Sequence, residues 1–330
     1  MKVVITGGGG FLGNQLARKL VERGSLCGIS GQAETIDELV LFDQMIAPQA
    51  RKGLEESASF VEGDIADREL VFSLVDRDDL SLFHLASVVS GEGEQNFDLA
   101  MQVNLKGGRN VFEACRVPNS QPRVVFASSV AVFGGRAMPS VVGDTTKPAP
   151  QTTYGVSKFM CELMINDYTR KGFFDGRAAR LPTIFIRPGK PNAAASSFAS
   201  GVFREPLNGV PCDLPVLREQ QMPLLGYRNA VECFIRLHEA DPAQLSDDRA
   251  YNLPSTTYSL HEMIAALERV AAKHGITLGP INDAPDPLIQ KIVATWPTTT
   301  DSSRGLALGL PNDASPDQVV EDYIADFLKQ

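Results

Sequence analysis

The sequence predicts an α/β protein with a doubly wound parallel sheet and a smaller C-terminal α+β domain. Three observations lead to this prediction. Short apolar runs alternate with helix-length segments through the first half of the chain, and a glycine cluster follows the first run directly. The runs are continuous stretches of Val, Ile, Leu and Phe, which is typical of strands covered by helices on both faces.

The predicted elements follow one another in a βαβ order. Strands are expected at residues 3–5, 39–42, 82–85 and 124–129, with helices at 14–23, 69–75 and 101–115. Residues 184–186 are expected to close the sheet. After about residue 187, Pro, Asn, Ser and Gly surround helices predicted at 260–273 and 316–329. We expect a larger domain over residues 1–186, to which a segment of about 224–253 returns, and a smaller domain over 187–330.

Composition excludes several classes of protein. The chain has 330 residues, of which 43% are hydrophobic and 22% charged, so it lacks the bias of a disordered or collagen-like chain. With 31 Lys+Arg against 40 Asp+Glu, the net charge is -9, which argues against binding to nucleic acid or to an anionic membrane surface. We expect a small-molecule partner.

Cysteine usage and apolar run lengths indicate a cellular compartment. The five cysteines are odd in number and never form Cys-x-x-Cys, which predicts reduced thiols and no metal site. The first residues lack the apolar h-region of a signal peptide, and no apolar run has the length of a membrane span. We expect a cytoplasmic protein.

The glycine cluster reads Thr6-Gly-Gly-Gly-Gly-Phe-Leu-Gly13, between a predicted strand and a predicted helix. Gly7 and Gly10 allow a tight turn and close approach to a pyrophosphate, while Gly13 allows the helix to pack closely against the strand. The helix N-terminus then faces the anion. This context predicts the dinucleotide site of a Rossmann-type fold, although a glycine-rich turn without a ligand is the alternative.

Asp43 ends the next long strand, where a carboxylate accepts hydrogen bonds from ribose hydroxyls and repels a 2′-phosphate. NAD is therefore predicted rather than NADP. The spacing from Gly13 exceeds the usual ~20 residues, and we assign the excess to residues 31–38. Asp43 could instead be a solvated residue at a strand end. Asp64 and Ile65 are weaker candidates for the adenine edge.

Tyr154 and Lys158 stand four residues apart, so on a helix they share a face. Lowering the pKa of a Tyr hydroxyl from near 10 to ~7 requires about 4 kcal/mol, which a nearby ammonium and an oxidised nicotinamide can supply together. A Tyr-x-x-x-Lys pair alone is usually a surface feature. Ser129, at the carboxyl end of a predicted strand, and the glycine cluster make a catalytic role the better interpretation.

Together these motifs resemble the extended short-chain dehydrogenases/reductases of the NAD-dependent epimerase/dehydratase family. His84-Leu85-Ala86, Val103-Asn104 and Ser-Ser before Val-Phe-Gly also occur in the family's order. The resemblance implies that Tyr154 is the acid/base, that Lys158 binds the nicotinamide ribose and that Ser129 holds the reacting oxygen. His84 is expected to be a buried strand residue. The cofactor-binding residues expected are Gly7, Gly10, Phe11, Leu12, Gly13, Asp43, Asp64, Ile65, Ala86, Ser87, Asn104, Tyr154, Lys158 and Pro182.

The substrate is expected to be a small hydroxy acid. Nucleotide-sugar enzymes of the family carry a diphosphate-binding Arg where this chain has Met222. A strip over residues 180–198 instead offers Arg, Asn and Ser, which suit a carboxylate and hydroxyls. This strip resembles that of the family's sugar-acid dehydrogenases, which implies oxidation of C2 of D-erythronate by NAD. The substrate-binding residues expected are Ser87, Ser129, Tyr154, Arg187, Asn192, Ser197 and Arg204.

Several alternatives stay open. Either Arg187 or Arg204 binds the carboxylate, and each could instead form a structural ion pair. A nucleotide-sugar epimerase or dehydratase would use the same Tyr and Lys, and a non-catalytic NAD(H)-binding regulator would need neither. The resemblance also implies a homodimer through the helices of Asn104 and Tyr154, where apolar residues include Phe159, Met160 and Leu163.

Overall fold

A computed structural model describes residues 1–118, 120–190 and 196–328. Its strands, β1 to β16 in chain order, are Lys2–Thr6, Ser25–Cys27, Ala33–Thr35, Glu38–Asp43, Ser59–Glu62, Leu80–His84, Arg123–Ser129, Val141–Val142, Asp175–Leu181, Thr183–Phe185, Cys212–Leu214, Gln221–Gly226, Ala250–Asn252, Thr256–Ser259, Ile281–Asp283 and Thr299–Thr300.

The α-helices, α1 to α13 in chain order, are Phe11–Arg23, Pro48–Arg51, Arg68–Ser73, Ser90–Gln95, Phe97–Ala100, Gly108–Cys115, Thr153–Arg170, Ser197–Leu207, Tyr227–Glu239, Leu260–His274, Pro287–Val293, Ser303–Ala307 and Pro316–Phe327. A π-helical segment, Met101–Gly107, runs directly into α6. Short 3₁₀ turns lie at Val130–Val132 and Pro242–Gln244.

Seven parallel strands form the large sheet in the order β13-β9-β7-β6-β1-β4-β5. Val3, Val4 and Ile5 of β1 are fully buried because helices cover both faces of the sheet. The prediction of an α/β protein with a doubly wound parallel sheet is confirmed.

The prediction that residues 184–186 close this sheet is wrong. The sheet is completed by β9 and β13, whereas β10 pairs with β12 in a separate three-stranded sheet of order β10-β12-β14. The physical reason is Pro182, which lies between β9 and β10. Proline has no N–H for the strand ladder, so the chain leaves the large sheet at this residue.

The extra length before Asp43 has a defined structure. Residues Ser25–Cys27 and Ala33–Thr35 form an antiparallel hairpin, β2-β3, between α1 and β4. The insertion therefore begins earlier than the predicted 31–38. Because the hairpin lies before β4, that strand still pairs in register with β1, and Asp43 still ends beside the glycine loop.

The second half of the chain contributes to two cores. Helices α8, α10 and α13 and strand β12 enclose a second core that contains Phe203, Met222 and Leu267. Helix α9 instead packs on β7 and β9, and β13 is an edge strand of the large sheet. These contacts favour the division near residue 186 with a return of the segment at about 224–253, and we keep that division as a proposal.

Two further findings concern the sequence-based expectations about compartment. Among the described residues, no helix combines the length and the apolar character that crossing a membrane requires. All five cysteines are free thiols, and four of them are buried.

Candidate active site

One cavity lies at the carboxyl edge of the large sheet, where ligands of open α/β sheets bind. The loops after β1, β6, β7 and β9 form one wall. Residues of later segments, among them Ser196, Pro223 and Trp296, also line the cavity. The lining residues most relevant to chemistry are Gly7, Gly10, Phe11, Leu12, Gly13, Ser87, Ser129, Thr152, Tyr154, Lys158, Pro182, Thr183, Arg187, Ser196, Ser197, Ser200, Trp296 and Pro297.

The glycine loop leaves little room for side chains, and the overlap with an added Cβ would be greatest at Gly7 and Gly13. Gly7 has a φ of +76°, and a Cβ there would lie 2.6 Å from the Ala86 nitrogen. A Cβ on Gly13 would lie 2.2 Å from the Gly7 oxygen. Gly10 caps the 13-residue helix α1 without a side chain to accept its first-turn N–H groups. These donors and the helix dipole make a site for an anion such as a pyrophosphate.

Asp43 lies beside this loop, although outside the cavity lining. Its carboxylate accepts hydrogen bonds from the main-chain N–H groups of Gly9 at 3.0 Å and Gln44 at 2.8 Å. Burial raises the pKa of the Asp43 carboxyl above its ordinary value, against the effect of these bonds. Each carboxylate oxygen keeps capacity for a further donor, as recognition of ribose hydroxyls requires.

Asp64 lies at the surface, whereas Ile65 lies in the core. The exposed Asp64 carboxylate accepts from the Ala66 N–H at 2.8 Å and from the Gln102 amide at 3.1 Å. The Ile65 side chain is buried in the core, and its carbonyl accepts from the Asn110 amide. Neither residue lines the cavity.

Asn104 does not line the cavity but contacts Ser87, which does. Its amide oxygen accepts from the Val88 N–H at 2.7 Å and from the Ser87 hydroxyl at 3.1 Å, and its amide nitrogen donates to the Val88 carbonyl. It therefore fixes the loop after β6, which brings Ser87 to the cavity. Ala86, which the sequence also placed against the cofactor, packs beside Gly7 and lies outside the lining.

Tyr154 lies in the first turn of α7, where Thr152 caps the helix by accepting from the Gly155 N–H at 3.1 Å. A Cβ on Gly155 would lie 2.2 Å from the Ala131 oxygen, so glycine allows α7 to approach the turn after β7. Ser129 ends β7 at this point, and its hydroxyl accepts from the Ala131 N–H at 3.1 Å. The Ser129 and Tyr154 side chains line the same cavity. The predicted Ser and Tyr therefore meet in one cavity.

Lys158 completes the group. Its side chain is 3% exposed, its Nζ donates to the Ala127 carbonyl at 2.7 Å and lies 5.4 Å from the centroid of the Tyr154 ring. Burial lowers the pKa of Lys158 to about 8 and raises that of Tyr154 to about 12, the latter opposed by the nearby Ser129 hydroxyl. Burial alone thus favours the neutral phenol. Positive charge beside the ring has the opposite effect, because it stabilises the phenolate.

Glu162, four residues after Lys158 on α7, forms a buried ion pair with Arg180 that was not predicted from the sequence. The Glu162 carboxylate accepts two bonds from Arg180, at 2.9 and 2.8 Å, and one from the Ser128 hydroxyl at 2.6 Å. These bonds tie α7 to β7 and β9. The sequence does carry one signal for Glu162. It follows Tyr154 and Lys158 at the same four-residue spacing, so all three lie along one helix face.

The two candidate arginines have different environments. Arg187 lines the cavity half-buried, and among the described residues no carboxylate lies within 4 Å of its guanidinium. Burial and the nearby Arg204 charge lower its pKa. Arg204 is buried outside the cavity lining, donates to the Arg187 carbonyl at 3.0 Å and pairs with Glu205 at 2.5 Å. This favours Arg187 as the carboxylate ligand.

Of the other predicted substrate residues, Ser197 begins α8 and lines the cavity, whereas Asn192 falls outside the described residues. The sequence did not single out the hydroxyl residues Thr152, Thr183 and Ser196, or the Trp296-Pro297 pair. No Asp or Glu occurs among the described lining residues, while Lys158 and Arg187 supply positive charge. The cavity is therefore suited to anions despite the net charge of -9.

The structure also bears on the expectations for His84, Met222 and metal binding. His84 is 1% exposed on β6, which confirms it as a buried strand residue, and its Nδ1 lies 2.7 Å from the Thr6 hydroxyl. Burial lowers the pKa of His84 to about 3. Met222 is 2% exposed within the second core. In the part of the chain that the structure describes, no group of three or more His, Cys, Asp or Glu could hold a metal ion.

Comparisons with known proteins agree with this geometry. Residues 3–253 match the model of the NAD dependent epimerase/dehydratase family. The chain is 46% identical over 327 residues to a D-erythronate dehydrogenase of Cupriavidus necator, covering 99% of this chain and 98% of that protein. It is 39% identical over 324 residues to a D-erythronate dehydrogenase of Haemophilus influenzae, covering 98% and 99%.

A solved structure is also similar over nearly the whole chain. It is described as the nucleoside-diphosphate-sugar epimerase from Agrobacterium tumefaciens, with a TM-score of 0.89 and 36% identity, covering 99% of this chain and 94% of that one. The names of these relatives therefore carry two kinds of activity.

Proposed function

The chain belongs to the NAD-dependent epimerase/dehydratase family, and from that premise we propose that it is an NAD-dependent dehydrogenase that oxidises the C2 hydroxyl of D-erythronate to 2-oxo-D-erythronate. One observation carries the proposal. Tyr154 and Ser129, with Lys158 beside the phenol ring, share a cavity with Arg187, a half-buried cation without a carboxylate neighbour among the described residues.

The residues at the sheet edge fit NAD. The glycine loop is tightly closed, because a Cβ at Gly7 or Gly13 would overlap neighbouring main-chain atoms, and the amide groups after Gly10 suit the pyrophosphate of NAD. Asp43 suits the adenosine ribose, and its negative charge opposes the 2′-phosphate of NADP. NAD supplies the acceptor for the hydride that leaves C2.

The chain's own groups manage the proton. Tyr154 takes the proton of the C2 hydroxyl as the C2–O bond becomes a carbonyl. Ser129 holds the same oxygen through its hydroxyl. Lys158 places positive charge beside the ring and thereby stabilises the phenolate. Glu162 and Arg180 hold the helix that carries Tyr154 and Lys158.

Arg187 is the proposed carboxylate ligand. Its guanidinium can donate two parallel hydrogen bonds to the substrate carboxylate, and its half-buried position strengthens that attraction. The hydroxyls of Ser197 and of Thr183, which line the same cavity, suit those of the substrate. Arg204 supports this wall through the Arg187 carbonyl.

The choice of D-erythronate rests on the relatives. The two D-erythronate dehydrogenases are 46% and 39% identical to this chain over nearly its full length. The Agrobacterium structure favours a second candidate, a nucleotide-sugar epimerase. That candidate is opposed by Met222, which occupies the position of the diphosphate-binding Arg and is buried in the second core. A non-catalytic regulator is opposed by the complete Ser129, Tyr154 and Lys158 set.

The test is a substrate panel. Purified protein is incubated with NAD and D-erythronate, L-erythronate, D-threonate or L-threonate, and NADH formation is followed. A parallel incubation with UDP-glucose is examined for epimerised product. We expect NADH with D-erythronate and no change of the UDP-sugar. Turnover of the UDP-sugar without NADH from any sugar acid would contradict the proposal.

We also propose a homodimer in a reducing, cytoplasmic compartment. Met160 and Leu163 of α7 are 41% and 53% exposed, and the nearby Phe97 is 59% exposed. Apolar exposure of this kind favours a second copy as its cover, and free thiols suit a reducing compartment. Light scattering should give twice the chain mass for the wild type and a lower mass for Leu163→Glu. A wild-type monomer would contradict the dimer.

A further inference from the structure

The cavity wall includes an aromatic side chain from a distant part of the sequence. Trp296 and Pro297 lie between α11 and β16, more than a hundred residues after Tyr154, yet they line the same cavity. Trp296 is the only tryptophan of the chain. Its side chain is half-buried, since one part packs on the second core while another faces the cavity.

The segment that carries this tryptophan is held on both sides. Before it, the Trp296 N–H donates to the Val293 carbonyl at 3.0 Å. After it, the Thr257 hydroxyl donates to the Thr298 carbonyl at 2.8 Å, and β16 pairs with β8. The indole therefore projects from an anchored stretch of backbone and forms a fixed part of the wall.

The chemistry of Trp296 differs from that of its neighbours. The rest of the substrate end consists mainly of small hydroxyl side chains, such as Thr183, Ser196 and Ser200, together with Arg187. An indole is bulkier than any of these, and it offers an apolar face with a single N–H donor. Such a face packs against the C–H groups of a sugar chain and excludes volume that a longer chain would need.

We propose that Trp296, supported by Pro297, determines substrate chain length by closing the cavity beyond C4 of the sugar acid. With C2 at Tyr154 and the carboxylate at Arg187, the remaining carbons extend along the remaining wall, where Trp296 is the bulkiest side chain. This inference rests on the proposed function, because it takes a 2-hydroxy acid as the substrate. Trp296 is thus a specificity-determining residue and takes no part in proton transfer.

The test compares acids of different length in matched variants. kcat/KM is measured for D-erythronate and for five- and six-carbon aldonates with the same configuration at C2 and C3. Trp296→Ala should raise the five-carbon to four-carbon ratio at least about tenfold, because one carbon group in a fitted pocket is worth 10–200-fold in discrimination. The control is Leu288→Ala, on the neighbouring helix α11 and 64% exposed, which should leave the ratio unchanged. A ratio within twofold of wild type in Trp296→Ala would overturn the proposal.

A second variant protects the test against misfolding. Trp296→Phe keeps a ring against the second core and removes only part of the volume, so it should give a ratio between those of wild type and Trp296→Ala. An unchanged ratio in folded Trp296→Phe would also count against the proposal. Failure of the proposed function is distinct, because the wild type would then form no NADH from any sugar acid.

Fluorescence gives a readout that does not depend on turnover. Trp296 is the single tryptophan, so its emission reports directly on this wall. In Tyr154→Phe protein with NAD, addition of D-erythronate should change the emission saturably, and the further substitution Arg187→Met should weaken that response. Binding of D-erythronate detected by calorimetry without any change in emission would contradict contact with the indole.

Discussion

The two ends of the cavity are built in different ways. At the cofactor end, the backbone is packed so closely that an added Cβ on Gly7 or Gly13 would meet main-chain atoms at 2.6 or 2.2 Å. At the substrate end, side chains from separate segments form the wall, among them Thr183, Arg187 and Trp296. On the proposed function, the first end would fix the cofactor by main-chain geometry, and the second would select the substrate by the size and charge of side chains.

This difference predicts different responses to substitution. Changes where chemistry or main-chain packing is involved should have the largest effects on kcat or on NAD affinity, because neighbouring backbone cannot move aside. Changes in the side-chain wall should alter KM and specificity by degrees.

Tyr154→Phe tests the proposed acid/base, which would act on the substrate beside the cofactor. It removes the only atom of Tyr154 that can take the substrate proton, so we expect kcat to fall by about 10³-fold. NAD affinity should stay within a few-fold, since the ring and Lys158 are retained. Steady-state kinetics and NAD titration by calorimetry measure both effects. Activity near the wild-type level would remove the phenol from the mechanism.

Gly13→Ala tests the cofactor end. The new Cβ would lie 2.2 Å from the Gly7 oxygen, and relief of such overlap costs about 1–3 kcal/mol, which corresponds to NAD binding up to about 100-fold weaker. The matched control is Gly143→Ala, where the nearest atom is 3.6 Å away. Calorimetric titration with NAD measures the difference. Equal NAD affinity in the two variants would show that the glycine loop is not the cofactor site.

Arg187→Met tests the substrate end. Loss of a charge-assisted pair should raise KM for the sugar acid about 30-fold, with NAD affinity unchanged. Arg204→Met should instead lower the melting temperature, because Glu205 would lose its buried partner. Kinetics and thermal unfolding of both variants separate the roles. A larger rise in KM in folded Arg204→Met than in Arg187→Met would reverse the assignment.

Lys158→Met tests how much the buried Lys158 ammonium lowers the free energy of unfolding. Burial lowers the pKa of Lys158 from 10.5 to about 8, so below pH 8 the folded protein carries a destabilised charge. We expect the variant to be inactive and more stable at pH 7 by about 1–2 kcal/mol in free energy of unfolding, after loss of the bond to Ala127. Between pH 8 and 10.5 the unfolded chain binds the extra proton, so wild-type stability rises and the gain shrinks. Urea unfolding at pH 7 and 10 measures this, and a less stable variant at pH 7 would contradict it.

The same contrast explains what could be predicted from the sequence. The glycine loop is placed by one turn, and Tyr154 and Lys158 are placed by one helix face. Local spacing was therefore enough to predict that these residues lie together. The parallel sheet followed from continuous apolar runs. Ser129 was found because a strand end fixes its position.

Features that depend on distant segments could not be predicted. Trp296 reaches the cavity through the pairing of β16 with β8, and no local pattern encodes that pairing. The buried pair Glu162 and Arg180 joins two elements in the same way. The misplaced strand at residues 184–186 has a local cause, because the missing N–H of Pro182 outweighed an apolar run that looked like the rest of the sheet.

The most direct test of the central claim follows the hydrogen that leaves the substrate. D-erythronate labelled with deuterium at C2 is oxidised with NAD, and the NADH is examined by mass spectrometry, with substrate labelled at C3 as the control. We predict one deuterium in NADH from the C2-labelled acid and none from the C3-labelled acid. Deuterium transferred from C3, or unlabelled NADH from both, would contradict oxidation at C2.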